Sequence, residues 1–307
     1  MSTALITHDV MPRHEISPDH PECPERIGAV MERLKADGLY DFMAHFDAPE
    51  ATDEALARAH TEPYIELLRR KSPNSGSVTI DGDTAMNVFS LEAARRSAGA
   101  GVLAVDRIMA GEINNAFCLG RPPGHHAERF QAMGFCLFGN VAVAARHAIA
   151  HHGLERVAII DFDVHHGNGT EDIVDGDEHI LFCSSFQHPF YPGGYRDNVR
   201  GQRINVPLRA GTGSADFRAA VTAAWFDELD AWQPELVIIS AGFDAHHEDP
   251  LASLALREDD FAWLTRRLMD IAAKHANGRV VSMLEGGYAL SALGRSASAH
   301  VREMMGI

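Results

Sequence analysis

The chain has 307 residues, room for two average domains or one large α/β domain, and no linker-like tract, charge block or repeat divides it, so residues 1–307 read as a single domain. A formal net charge of −16 at pH 7 disfavours direct binding to nucleic acid or to an anionic membrane and leaves a cationic substrate welcome. The apolar share of 46% supplies an ample core, while four scattered cysteines (Cys23, Cys118, Cys136, Cys183) without a Cys-x-x-Cys pair argue against a disulfide framework and against a cysteine zinc site.

The N-terminal residues show no basic segment leading into a long apolar one, so no signal peptide is expected. No run reaches the roughly 18 continuous apolar residues of a membrane span. A cytoplasmic protein is expected. The first buried strand reads as Ala4–Thr7, and an irregular stretch rich in His, Pro and acidic residues follows at His8–Cys23. Pro24–Ala36 places Ile27, Val30, Met31 and Leu34 on one helical face, with Pro near its start and Gly38 just beyond its end. Leu91–Met109 reads as a helix, Asn115–Leu119 as a strand, Asn140–His151 as a helix and Val157–Ile160 as a strand. Ser185–Gly213 reads as a long irregular segment that is either a packed surface loop or one whose Phe186, Phe190, Tyr191 and Tyr195 shape access to a site. A helix at Ser214–Leu229 after a Ser cap, a strand at Leu236–Ser240, a helix at Phe261–Ala272 and a strand at Val280–Leu284 complete the pattern. Strands alternating with helices predict an α/β fold with a mostly parallel central sheet and helices on both faces. In such sheets ligands bind outside the carboxyl ends of the strands, where every unusual polar cluster of this chain falls.

Four strand ends carry the chemistry. After Val157–Ile160 comes Asp161-Phe162-Asp163-Val164-His165-His166-Gly167-Asn168-Gly169, in which Asp163 and His165 sit two apart and project to one side of extended chain. Gly167 and Gly169 would let the backbone turn sharply. After Leu236–Ser240, Asp244 occupies the equivalent place, so Asp163, His165 and Asp244 predict a one-His, two-carboxylate metal site with open positions, of catalytic type. Zinc suits that donor set, and iron or cobalt would also fit it. After Asn115–Leu119, the Pro/Gly-rigidified turn Gly120–Gly124 leads to His125 and His126, read as acid/base groups beside the metal instead of ligands. After Val280–Leu284, Glu285-Gly286-Gly287 leads to Tyr288, whose phenol could donate to a developing oxyanion. A metal, a base and an oxyanion donor are the equipment for hydrolysing an amide. Cys136, within Gly134–Phe138, reads as a small buried hydrophobe.

These residues resemble the histone deacetylase family, particularly its class II and bacterial deacetylase-like members. The likeness runs from His20-Pro21-Glu22-Cys23-Pro24-Glu25-Arg26-Ile27 through Arg121-Pro122-Pro123-Gly124-His125-His126-Ala127, Gly134-Phe135-Cys136 and Asp161–Gly169 to Glu285-Gly286-Gly287-Tyr288. The resemblance implies a single-domain arginase/deacetylase fold with long active-site loops and one catalytic zinc held by Asp163, His165 and Asp244. It implies that His126 is the general base toward the attacking water, that His125 is an electrostatic partner held by Asp161, and that Tyr288 polarises the acyl carbonyl. Gly134 would offer its carbonyl to the substrate amide, and Phe135 and Tyr191 would flank an acyl-lysine channel. A structural potassium ion near Asp161, Asp163, His165 and Ser184 is implied as well. Asn168, matched to His126, is neutral where class I members carry Asp. Gly139 stands where an Asn is common, and Phe186, where many members have His, would make the rim unusual.

The implied activity is zinc-dependent deacetylation of acetyl-lysine in a protein or peptide, with an acetylated small amine such as a polyamine as the alternative substrate. Polyamine-selective members of the vertebrate type place an acidic residue after the Asp-Pro pair, and here Asp249-Pro250 is followed by Leu251, a channel-mouth position; Glu248 and the overall acidity point the other way. A binuclear manganese hydrolase of arginase type needs further carboxylates, absent at Gly167 and Gly242. A non-catalytic module is disfavoured because the ligands, the His pair and the Tyr are all present. Loops around the pocket could pack against a second subunit in a homo-oligomer.

Overall fold

A computed structural model describes residues 2–307. Ten strands run in chain order: β1 Thr3–Thr7, β2 Ala44–Asp47, β3 Ser77–Thr79, β4 Ala85–Asn87, β5 Asn115–Cys118, β6 Val157–Asp161, β7 Ile180–Gln187, β8 Arg203–Leu208, β9 Leu236–Ala241 and β10 Val280–Leu284. The helices are α1 Glu25–Ala36, α2 Asp53–Ala57, α3 Glu62–Lys71, α4 Ser90–Met109, α5 Asn140–His152, α6 Asn168–Val174, α7 Ser214–Val221, α8 Asp227–Trp232, α9 Glu258–His275 and α10 Leu290–Met305. Eight strands form one sheet in the order β2-β1-β5-β10-β9-β6-β7-β8, every pairing parallel, and β3 and β4 make a separate antiparallel hairpin.

A parallel sheet must be covered on both faces, which is why its inner strands are apolar at successive positions. Ala158 and Ile160 project into the core shared with α1 and α7–α10, whereas Val157 and Ile159 project into the core shared with α2–α5. At about 25 cal/mol per Å² of apolar surface, these two slabs supply most of the drive to fold. The strand ends on the four central strands therefore meet on one edge, with every main-chain path to them anchored in a packed core.

The five strands read from sequence are present within a residue or two of their expected limits. The other five, β2, β3, β4, β7 and β8, were missed; β8 lies inside the segment expected to be irregular, and β7 runs into it. β7 continues through Ser184, Ser185 and Gln187, polar residues that are nonetheless buried. β8 alternates Ile204, Val206 and Leu208 inward, with exposed Pro207 tolerated because β8 is an edge strand. The expected helix Ser214–Leu229 is interrupted by a π-turn at Thr222–Phe226. Its Ser cap is also corrected: Gly213 occupies the cap, and the Ser214 hydroxyl donates to Asp260 Oδ2 at 2.6 Å. No helix among the described residues is long and apolar enough to cross a membrane.

Candidate active site

The ends of β5, β10, β9 and β6, four neighbours in the sheet, deliver the polar groups to one place. Asp163 and His165 leave the end of β6, and Asp244 leaves the end of β9. His165 Nδ1 lies 3.1 Å from Asp163 Oδ1 and 3.2 Å from Asp244 Oδ2. Each carboxylate is aimed by backbone donors: Gly286 N–H donates to Asp163 Oδ2 at 2.8 Å, His165 N–H to Asp163 Oδ1 at 2.9 Å, and Val164 N–H to Asp244 Oδ1 at 2.9 Å. Gly286 has to be glycine, since a Cβ there would overlap both the Asp163 and Asp244 carboxylates. Gly167 serves space in the same way: its φ is not left-handed, contrary to the sharp turn expected there, but a Cβ would meet Asp161.

The donor set fits a divalent cation. Burial disfavours an ionised Asp163, yet the His125 and His165 imidazoles hold it well below the usual carboxylate range. Burial and then the neighbouring Asp163 push Asp244 up. Burial would deprotonate His165, but the two carboxylates outweigh it and lift the imidazole to about 10. Two buried carboxylates facing one imidazole thus demand positive charge at their centre, and a metal ion supplies it. Beside this group the hydroxyl of Ser184, paired with Asp161 across β6 and β7, is buried with no hydrogen-bond partner among the described residues. An oxygen left so, against Asp161, suits a second, hard cation such as potassium.

His125 and His126 descend from β5 into the same space. Their main chain is held by Glu285, at the end of β10, whose Oε2 accepts from Gly124 N–H at 2.6 Å and His125 N–H at 3.1 Å. His125 Nδ1 lies 3.0 Å from Asp161 Oδ2; burial opposes its charge, but Asp163 and Asp161 prevail and raise it well above the ordinary value. His126 behaves oppositely. Burial, then the charges of His125 and His165, push it well below the ordinary value. The amide of Asn168 donates through Nδ2 to Glu128 Oε1 at 2.9 Å, so its Oδ1 must accept from His126 Nδ1–H at 2.7 Å. That chain of bonds leaves His126 Nε2 with a free lone pair.

A narrow cavity of about 120 Å³ leads to these groups and is lined by Asp83, His126, Gly134, Phe135, His165, Tyr191, Leu251 and Tyr288. Gly134 and Phe135 take φ values of 56° and 68°, anchored by Gly134 N–H to Asp83 Oδ1 (2.9 Å) and Phe135 N–H to Thr84 Oγ1 (3.0 Å). Tyr191 closes the other side through its hydroxyl to Asp83 Oδ2 at 3.1 Å. Burial, with Asp244 and Asp163 nearby, pushes the Tyr288 phenol well above its ordinary value, so it keeps its proton.

The model of the histone deacetylase domain matches residues 20–304. The chain belongs to the histone deacetylase family. It is 39% identical over 295 residues to the histone deacetylase-like amidohydrolase of Pseudomonas aeruginosa, covering 94% of this chain and 77% of that protein. It is 36% identical over 327 residues to the human polyamine deacetylase HDAC10, covering all of this chain and 48% of that longer protein. The crystal structure of the HDA15 HD domain matches with a TM-score of 0.93 at 35% identity, over 99% of this chain and 90% of that one. The architecture is the arginase/deacetylase fold, and the chain is a histone deacetylase-like hydrolase of acyl amides.

Within this deacetylase fold the predicted metal, acid/base and channel residues meet in one region, including Leu251 at the cavity wall. Phe186 is the exception to the expected rim: it is buried against His166 at 4.6 Å and Tyr195 at 5.0 Å and does not touch the channel. Glu248 pairs with Arg295 and is not among the cavity residues. Cys136 is fully buried, and burial lifts its thiol well above the ordinary value.

Several supporting residues were not legible beforehand. Asp83 sits in a polar Asp-Gly-Asp-Thr turn between β3 and β4, which reads as plain surface. Asp249 holds both Leu251 N–H (3.0 Å) and Tyr288 N–H (2.7 Å) with one carboxylate. Glu22, Arg26 and Arg121 form a fully buried network, in which Arg121 grips Glu22 through two bonds of 2.5 and 2.6 Å and Arg26 donates to Gly287 O at 2.8 Å. The signal for it was the charge-dense segment Glu22–Arg26, whose partners lie far away in sequence.

Proposed function

We propose that residues 1–307 form one cytoplasmic catalytic domain that hydrolyses the amide of N-ε-acetyl-lysine in a protein or peptide, with one zinc ion held by Asp163, His165 and Asp244. The observation that carries this reading is the convergence of two carboxylates and an imidazole within 3.1–3.2 Å beside the cavity that also presents His126 and Tyr288. When bound, zinc would supply Lewis acidity toward the acyl carbonyl and activate water at neutral pH.

The remaining chemistry belongs to the side chains. Gly134 would accept the substrate amide N–H at its carbonyl, while Phe135 and Tyr191 flank the lysyl chain and Leu251 borders the mouth. His126 takes the proton of the attacking water at Nε2, the position left free by the bond from Nδ1–H to Asn168. As the new C–O bond forms, Tyr288 donates a hydrogen bond to the carbonyl oxygen. The protonated His126 then gives its proton to the leaving nitrogen as the C–N bond breaks, releasing acetate and the free amine. His125, held charged by Asp161, offsets the negative charge around Asp163 without cycling. A potassium ion at Asp161, Asp163, His165 and Ser184 would brace the same loop.

An acetylated small amine is the competing substrate, favoured by the likeness to a protein named polyamine deacetylase and opposed by apolar Leu251 at the cavity wall. Rates of zinc-loaded protein on acetyl-lysine peptides and on acetylputrescine decide between them. The proposal predicts faster turnover of the peptide, together with loss of activity on chelation and its return with zinc. Faster turnover of acetylputrescine reverses the substrate assignment, and activity undiminished by thorough chelation removes the metal.

A further inference from the structure

Away from this site, at the opposite edge of the sheet, the C-terminal turns of α4 and α5 lie side by side. Both helices run from the catalytic edge toward the amino ends of β5 and β6, so their last turns sit at the far pole. Asp106 comes from α4; His147, His151 and His152 come from α5. Asp106 Oδ1 lies 2.7 Å from His147 Nε2 and 2.7 Å from His152 Nε2. His151 stacks on His147 (centroids 4.9 Å apart, planes at 13°) and meets His152 edge-on at 4.9 Å.

The bond pattern sorts these groups into two kinds. Arg58 Nη1 lies 3.1 Å from His147 Nδ1, and a guanidinium can only donate, so His147 carries its proton on Nε2 and donates it to Asp106. His147 is therefore committed as a prop that aims the carboxylate. His151 is exposed and has no hydrogen-bond partner among the described residues, and the only side-chain hydrogen bond of His152 runs from Nε2 to Asp106. One ligand atom from each of Asp106, His151 and His152 falls within 4.8 Å of the others. Neighbouring ligands in a tetrahedral zinc shell are about 3.4 Å apart, a closure of at most about 1.4 Å that exposed side chains make by small rotations. The carboxyl ends of two helices add negative potential at the same point.

We propose that Asp106, His151 and His152 form a second cation site, distinct from the catalytic one, that takes a borderline divalent transition ion such as Zn2+ and fastens α4 to α5. Two imidazoles and one carboxylate oriented from behind by Arg58 and His147 are the donor set such ions prefer. Water fills the remaining position. The other histidine cluster, His246-His247-Glu248, is less suited: His246 Nδ1 accepts from Glu248 N–H, so its Nε2 carries the proton and faces Glu258 at 3.4 Å.

Calorimetric titration of untagged protein, already holding one zinc, with ZnCl2 at pH 7.5 tests this. One further equivalent is expected, with a zinc-dependent rise in melting temperature. The double variant His151→Ala/His152→Ala loses that equivalent and the thermal shift while keeping the first zinc and the wild-type rate of hydrolysis. His147→Ala weakens the second ion by roughly 10- to 100-fold, as loss of an outer partner does. His247→Ala leaves it intact. Wild-type protein that takes up no second equivalent below millimolar zinc, a double variant that binds as wild type does, or loss of the ion in His247→Ala each overturns the assignment.

Discussion

Lowering the pH from 7 to 5 removes stability from this fold through histidines that have no metal to hold. His14, His60 and His300 are buried, and burial is the main reason that they are pushed down, to about 4, about 4 and about 3 respectively. A depressed histidine is neutral in the fold and charged in the unfolded chain below about 6.5, so the unfolded state binds more protons and stability rises with pH. The stability is fully present above the unfolded value and is lost as pH falls toward the folded one. Integrating between pH 7 and 5 gives a loss of about 2 kcal/mol for each of the three. His125 works in the other sense, because its raised value makes the native state the tighter proton binder near pH 7, so acidification returns part of the loss. The three losses together, about 6 kcal/mol before that return, are comparable with the whole stability of a typical domain. Urea unfolding of zinc-loaded protein at pH 7, 6 and 5 should show the midpoint falling steeply. His300, bonded at Nδ1 to Thr265 Oγ1 (2.6 Å) and at Nε2 to Ser282 Oγ (2.8 Å), isolates one share of it. His300→Gln should lower stability at pH 7 and flatten the pH dependence by about 2 kcal/mol. An unchanged slope in that variant would falsify the reasoning, whatever the absolute stabilities.

Three other outcomes follow from the geometry. Tyr288→Phe should reduce kcat by about 10² or more with little change in KM, as expected for a donor felt mainly in the transition state; near-normal kcat removes the phenol from the mechanism. Gly134→Ala meets a φ of 56° and places a methyl against the His126 ring, so peptide hydrolysis should fall about 10²-fold, with about 1–2 kcal/mol lost in urea unfolding; an active variant would show that His126 can move aside without cost. Glu22→Gln leaves the Arg121 and Arg26 guanidiniums buried with weakened pairing and should cost about 3–5 kcal/mol in denaturant unfolding, whereas a loss under 1 kcal/mol means the network is better solvated than its complete burial suggests.

Much of the site could be read from the chain because its reactive groups cluster just beyond apolar strands. Asp163 and His165 sit two apart in the bend just past the end of β6, not on extended strand as the sequence suggested, and Asp244 repeats the placement after β9; a short segment anchored at a strand end brings the pair together either way. What stayed hidden acts across long sequence distance. Nothing near Asp83 announces that it bonds Tyr191, 108 residues away. Glu128 fixes the Asn168 amide, and through it the His126 tautomer, by a bond that exists only once α6 is in place. β7 was missed because its apolar start runs into Ser184 and Ser185, which look like loop residues, although the fold buries both. Phe186 was read as rim from the resemblance, which has His at that position in many members, but it packs inward against His166.

The central half of the sheet, ordered β5-β10-β9-β6, has a kinetic consequence. Its members are made in the order β5, β6, β9, β10, so β10 must insert between two strands synthesised well before it. Until that late wedge arrives, Glu285 cannot hold the histidine turn and Gly286 cannot steady Asp163. Recovery of turnover after dilution from denaturant should therefore lag behind the return of helical signal, and a chain ending short of Val280 should be inert however well its earlier segments collapse.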